Sequence, residues 1–513
     1  MTGAPDIERT RSRLSHPAWA LLFAGVPLLA GLYAGRLFID DAFITFRYAE
    51  NIAAGRGFVY NTAPLLGTTA PFYCLLLAAA AKAGVSITSA ALAIGVIAAA
   101  LAPLLCWRTG VDTDQPRAGF LAALLLSLFP WWWMAGTTGM ETTLAGALAI
   151  AAIYFDLRQK GAASGLVSAL LCLTRPDAAT LPALIFLLRF RTHRREAMRF
   201  ALAAAAVMIP WTVFAAIYFG SPMPQSLFAK KLIHYFPFHL ALVRYLSWFV
   251  ALKLPPAMAL MTFLYLAGAA LMARSWREGM AMALWPPVLI LGLSLTRVGP
   301  FFWYKMPVVP VYFFVAAYGA VRIKNFKPSK AFARAARVMA MLIVPVFVAL
   351  QLYTALPFLR DSSKLGIYNN DVAALRYLAL KIKELSAKEG RDPASVKVFA
   401  GEVGVIGYEL MDFIMIDSSG INSPEVYEIR EKDVAKLKRQ MPVFTWKEQW
   451  AGTPDWSREV IAQYRPDFIA SNPEYLNLMT LARDPEFQAA YKLVDSEEDG
   501  QGKKFVLFER TIK

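Results

Sequence analysis

Cysteine, histidine and, over most of the chain, acidic residues are scarce in this sequence. Of 513 residues, three are cysteine and four are histidine. Cys74, Cys106 and Cys172 all sit in apolar runs without metal-ligand spacing, so neither a disulfide framework nor a cysteine metal site is expected. His16, His193, His234 and His239 form no HxxxH or HExxH pattern. Residues 1–359 hold only 12 Asp and Glu against 31 Lys and Arg, whereas residues 360–513 hold 25 against 22. The net charge of +16 therefore belongs entirely to the first part. That part is also where the hydrophobic residues, 57% of the chain, are concentrated. Its Lys and Arg punctuate apolar runs and do not cover a polar surface. The pattern excludes a nucleic-acid partner and is that of a multi-span membrane protein.

Apolar runs lie at about 18–35, 70–84, 86–106, 118–134, 142–156, 162–174, 177–190, 198–219, 257–273, 279–296, 307–321 and 335–356. Basic clusters at Arg9–Arg13, Arg158/Lys160, Arg189–Arg199, Arg274/Arg277 and Arg322–Lys330 mark cytoplasmic loops. Alternation of sides then requires one run not to cross. Run 70–84 is short and contains Lys82, so it is read as a re-entrant or interfacial helix. The expectation is an α-helical polytopic membrane protein of about eleven spans over residues 1–359, with the N-terminus inside. An extracytoplasmic α/β domain is expected over residues 360–513.

In that second part Val372, Leu375, Leu378, Ile382 and Leu385 recur at helical spacing within Asn369–Lys388. Val396–Ala400, Phe413–Ile416 and Asp467–Ala470 read as strands, and Val460–Tyr464 as helix. Tyr491–Val494 and Phe505–Phe508 flank a turn-rich Asp499–Gly502 and suggest a hairpin. Gly401-Glu-Val-Gly404-Val-Ile-Gly407 is GxxGxxG, not a dinucleotide fingerprint, and is read as a structural turn.

The apolar runs are nearly free of charge in their middles, which counts against ion-coupled transport. Chemistry is expected where charges gather, in the outer loops. The first loop carries Asp40, Asp41, Arg47 and Asn51. If it is helical, Asp40, Arg47 and Asn51 fall near one face, at spacings of seven and eleven. An acid there could serve as general base, with the guanidinium holding a phosphate; alternatively the acids only cap a helix. Glu141, after Gly139-Met140, is either a second site acid or a first-turn acid favoured by a helix dipole. Arg175 in Leu173-Thr-Arg-Pro-Asp177 either pairs with Asp177 or faces the outer cavity. Lys230 and Lys231 suit an anionic lipid headgroup or a phosphate, or else they snorkel. Arg297, Tyr304 and Lys305 belong to an aromatic-rich loop in which either base could meet the same phosphate.

Taken in order, "IDDAFITFRYAENIAAGRGFVYN", "GMETTL", "LTRPD", "FGSPMPQSLFAKK" and "WYKMPVVP" resemble the GT-C superfamily of polyprenyl-phosphate-sugar glycosyltransferases. The likeness extends over most of the chain and is greatest to the mycobacterial terminal arabinofuranosyltransferase type. The resemblance implies inverting sugar transfer outside the membrane, from a polyprenyl-phosphate donor to a glycan, lipid or protein acceptor. It maps the family's acidic pair onto Asp40 and Asp41, one of them the base. Arg47, Lys230, Lys231, Arg297 and Lys305 become candidates for the phosphate, and Asn51, Glu141, Arg175 and Tyr304 for substrate. Arabinofuranose is the sugar it suggests. A divalent cation is required in some members and not in others. Where many members carry an acid, this chain has Leu65-Leu66-Gly67-Thr68-Thr69. A polyprenyl-lipid transporter and a non-catalytic envelope scaffold are the competing readings.

Overall fold

The computed structural model describes residues 14–233, 236–251, 255–323, 345–353, 356, 370–440, 452–499 and 502–511. The basic N-terminal Arg9–Arg13, the 359/360 boundary and most of run 335–356 lie outside the described residues. The first part is helical: α1 Ala18–Ala34, α2 Asp40–Ala53, α3 Pro71–Lys82, α4 Ile87–Asp112, α5 Pro116–Ser127, α6 Pro130–Ala135, α7 Thr142–Leu157 and α8 Gly161–Thr174. There follow α9 Thr180–Thr192, α10 Arg194–Tyr218, α11 Gln225–Ile233, α12 Phe238–Ala251, α13 Pro255–Ser275, α14 Met280–Thr296, α15 Phe302–Lys305 and α16 Val309–Ile323.

Among the described residues four helical stretches are long and apolar enough to cross a membrane: Ile87–Asp112, Arg194–Tyr218, Arg277–Thr296 and Phe302–Ile323. Six shorter apolar helices, α3 among them, accompany these. At 1.5 Å per residue, the 12 residues of α3 reach only ~18 Å, short of a ~30 Å hydrocarbon core. Between α4 and α5, Gly110 meets Gly119 backbone to backbone, so these helices pack closer than any side chain would allow. Asp156 and Arg189 form a buried two-pronged ion pair, at 2.6 and 2.7 Å, between the ends of α7 and α9.

The second part is a layered α/β unit. Its elements are α17 Asn370–Lys388, β1 Lys397–Ala400, α18 Val403–Glu409, β2 Ile414–Asp417, α19 Pro424–Gln440, α20 Pro454–Tyr464, β3 Phe468–Ser471, α21 Leu478–Leu481, α22 Pro485–Ala490, β4 Tyr491–Glu498 and β5 Lys504–Arg510. The sheet order is β2-β1-β3-β5-β4. β1 runs parallel to β2 and β3, while β5 is antiparallel to β3 and β4. The predicted amphipathic face of α17 is the buried one: Val372, Leu375, Leu378 and Ile382 enter the core. The hairpin of the last two strands is present, with an irregularity between Leu493 and Asp495.

The two parts share one apolar core. Phe43, Phe46 and Tyr73 of the membrane part pack in the same cluster as Leu375, Val405 and Leu507 of the α/β unit. At its centre α2 holds α18 by both ends. The Asp40 carboxylate accepts from the Gly404 and Val405 amides at 3.1 and 2.7 Å, at the start of α18. Arg47 reaches the other end. Its Nη1 donates to the Gly407 carbonyl and, at 2.8 Å, to that of Leu410, and its Nη2 donates to Phe413 at 3.1 Å. Its Nε donates to Tyr60 of its own loop at 2.6 Å. An acid at a helix N-terminus and a cation at its C-terminus both match the helix dipole.

The GxxGxxG segment takes its meaning from this contact. A Cβ at Gly404 would collide with the Asp40 carbonyl, and one at Gly407 with the Tyr60 hydroxyl. Gly404→Ala is therefore expected to cost about 1–3 kcal/mol as an overpacked contact. Arg47→Met leaves several buried carbonyls without a donor and should cost more, roughly 3 kcal/mol or above. Thermal unfolding and protease resistance of the α/β unit in the purified full-length protein check both, and unchanged resistance in both variants would contradict the two-ended grip.

Candidate active site

At the start of α2 the chain divides two adjacent acids between two neighbours. Successive helical residues point about 100° apart. Asp40 faces α18, whereas Asp41 faces α11, with its Oδ2 3.5 Å from Lys230 Nζ. Burial is the main reason the Asp40 carboxyl is pushed up, to about 8; its bond from Val405 opposes this, and the Asp41 charge adds to it.

Beside Lys230 opens a cavity of about 330 Å³, lined by residues from several separate segments of the helical part, among them Thr69, Glu141, Arg175, Lys230, Lys231 and Tyr304. Arg175 is at its centre, extended at the end of α8 where Pro176 stops the helix. Its Nη1 donates to Glu141 at 2.9 Å, and its Nε and Nη2 grip Asp177 at 3.1 and 3.0 Å. Arg175 thus pairs with Asp177 and also lines the cavity. The Tyr304 ring carries two cations, with the Arg175 guanidinium 5.1 Å and the Lys230 ammonium 5.9 Å from its centroid.

Burial works against the charges of Glu141, Arg175 and Lys230, and the neighbours decide the outcome. Burial raises the Glu141 carboxyl, only partly countered by Arg175. Burial alone would lower Arg175, yet Asp177 and Glu141 carry it above its ordinary value. Lys230 is likewise held protonated against burial, with Asp41 among the groups that raise it. Each acid at the cavity has a cation: Asp41 has Lys230, and Glu141 and Asp177 share Arg175. Among the described residues no group of three His, Cys, Asp or Glu is placed to hold a metal ion. With each carboxylate already facing a cation, this donor set does not suit a divalent cation.

Of the residues singled out from sequence, Asp41, Glu141, Arg175, Lys230, Lys231 and Tyr304 come together. Four basic or polar candidates do not. Arg47 is 1% exposed and its guanidinium is committed to main-chain carbonyls, so a phosphate contact from it is corrected to a structural one. Asn51 is buried too; its amide donates to the Val59 and Tyr60 carbonyls and its oxygen accepts from Arg56, which shapes the loop and leaves no group for substrate. Arg297 is exposed in a left-handed C-cap of α14 (φ 61°) and does not line the cavity. Lys305 is buried with its ammonium 5.8 Å from the Tyr245 ring centroid, also away from the cavity lining. Asp177, Ser226 and Trp303 are cavity residues without a role assigned from sequence. Each lies inside a motif visible in the sequence: Asp177 in the Arg-Pro-Asp turn, Ser226 in FGSPMPQSLFAKK and Trp303 in WYKMPVVP.

Neither a family profile nor a curated protein matches this sequence. Solved structures do match in fold. ArnT from Cupriavidus metallidurans, solved bound to undecaprenyl phosphate, is 12% identical with a TM-score of 0.59, over 96% of this chain and 98% of that one. The Archaeoglobus fulgidus oligosaccharyltransferase tethered to an acceptor peptide is 12% identical with a TM-score of 0.55, over 98% of this chain and 75% of that one. The arabinofuranosyltransferase AftD from Mycobacteria is 13% identical with a TM-score of 0.55, over 97% of this chain but only 40% of AftD. The chain shares the fold of these structures along nearly its whole length.

Proposed function

We propose that this protein transfers a sugar, with inversion, from a polyprenyl-phosphate donor to an acceptor hydroxyl on the outer side of the membrane. The observation that carries the reading is the Asp41–Lys230 pair at 3.5 Å beside a cavity that also contains Arg175. A base and phosphate-directed cations are the two requirements of displacing a lipid phosphate from an anomeric carbon. The fold likeness supports it, since ArnT in that fold was solved with undecaprenyl phosphate and the archaeal enzyme with an acceptor peptide.

In this mechanism the acceptor oxygen attacks the anomeric carbon on the face opposite the phosphate. The carbon–oxygen bond to the phosphate breaks, and its electron pair leaves on the phosphate oxygen. Asp41 takes the acceptor proton. Lys230 and Lys231 meet the charge that grows on the phosphate. Arg175 uses three of its five N–H groups on Glu141 and Asp177, which leaves two for the same phosphate. Asp40 acts only through position, by fixing α2 against α18. Arabinofuranose is our proposed sugar, and an envelope glycan, lipid or protein the acceptor. The α/β unit then lies outside the membrane, on the cavity side.

Two outcomes follow in membrane fractions supplied with labelled polyprenyl-phosphate sugar. Asp41→Asn should lower transfer roughly 10²–10⁴-fold, the usual size of a general-base effect. Asp40→Asn keeps an acceptor for one amide and should lower it less than about tenfold, mainly through the second amide left without its acceptor. Equal, wild-type transfer by both would remove the base assignment. Lys230→Ala should raise the donor KM by about tenfold or more, the scale of one charge-assisted hydrogen bond; an unchanged KM would take Lys230 out of the phosphate site.

A further inference from the structure

Two polar side chains of the cavity have no part in that mechanism. Ser226 is the second residue of α11 and Trp303 the second of α15, and both line the cavity. Ser226 is 3% exposed and Trp303 8%. Neither the Ser226 Oγ nor the Trp303 Nε1 has a hydrogen-bond partner among the described residues. Buried polar groups are nearly always satisfied, because an unpaired one bears its full desolvation cost, so each exception needs a reason.

For two other unpaired hydroxyls the reason is local. Ser168 and Ser386 stand inside helices, where the carbonyl four residues back is a side-chain rotation away. Ser226 opens its helix, behind Pro222 and Pro224, and has no helical carbonyl at that distance. Trp303 is held by its neighbour: its ring stacks on Phe301 at 4.7 Å and 7°. A stacked indole has a fixed N–H direction and cannot search for a partner.

The positions of the two groups suggest what partner is missing. Ser226 lies one turn before Lys230 on α11, on the same face. Trp303 directly precedes Tyr304, whose ring carries Lys230 and Arg175. The unpaired donors therefore flank the cations assigned to the phosphate. The 330 Å³ of space is at the small end of the range for small-molecule sites, enough for one sugar and its phosphate but not for an oligosaccharide.

We infer that Ser226 and Trp303 read the sugar of the donor: the Ser226 hydroxyl and the Trp303 N–H donate to hydroxyl oxygens of a single monosaccharide attached to the lipid phosphate. This rests on the transferase reading above. A site built from buried donors rejects a sugar that lacks the matching hydroxyl, because the donors are then left unpaired.

The test is binding by full-length protein in nanodiscs of two kinds of probe: undecaprenyl phosphate, and the same lipid phosphate carrying one pentose or one hexose. Ser226→Ala, Trp303→Phe and the double variant are compared with wild type; the phenylalanine keeps the stack and removes only the N–H. The double variant should bind the preferred sugar-bearing lipid about tenfold or more weakly, while its affinity for undecaprenyl phosphate changes less than about twofold. Equal losses on both probes, or no loss on either, would show packing groups and overturn the inference while leaving the transferase reading in place. A wild-type protein that binds neither probe would overturn the transferase reading, and this inference with it.

Discussion

The grip of one short helix on another is the constraint from which the site follows. Asp40 and Arg47 are seven residues apart, close to two turns, and so they leave α2 on the same side. Between them they take the first amides and the last carbonyls of α18. A helix held at both ends, with charges matched to its dipole, cannot slide or rotate relative to its partner. That fixes α2, and with it the direction of Asp41. The same helix fixes the next loop: Tyr48 bonds Leu65 and Asn422, and Thr45 meets Thr68 at 3.0 Å. Thr69, on that loop, is part of the cavity wall. The α/β unit therefore sets the geometry of a cavity to which most of its residues do not belong.

Inside the cavity the governing principle is charge balance in a place where bare charge is costly. Glu141 and Asp177 share Arg175, Asp41 faces Lys230 from beside the lining, and Lys231 adds an exposed cation. Arg175, clasped by Asp177 and Glu141, is oriented more than it is available. Lys230 has a single carboxylate at a longer 3.5 Å and is the freer of the two to meet an incoming anion. The arrangement favours a ligand that brings its own negative charge and an otherwise neutral body, which is the description of a sugar on a lipid phosphate.

What could be read in the sequence was whatever depends on neighbours along the chain. The apolar face of α17, the strands of the sheet and the hairpin of β4 and β5 all show in local spacing. So does the shared face of Asp40 and Arg47. What their charges meet does not: the carbonyls that hold Arg47 are some 360 positions away, and nothing in the first loop signals them. A guanidinium in a substrate loop and one in a domain interface have the same local sequence. Arg297 and Lys305 failed for a related reason. Arg297 ends α14 in a left-handed residue, apart from the helix that carries Tyr304, and Lys305, next to Tyr304 on α15, points about 100° away from it.

The glycine-rich segment after β1 makes the same point from the other side. A strand, a turn and a helix N-terminus form a ready receptor for an anion. Here the place is already taken by the protein, since the Asp40 carboxyl oxygens accept from the amides of Gly404 and Val405. Gly404 lacks a side chain because the Asp40 backbone lies against it, not because a phosphate must approach. A nucleotide could enter only by displacing the contact that holds the two parts together. The receptor has become a socket, and its plug is the residue next to the proposed base.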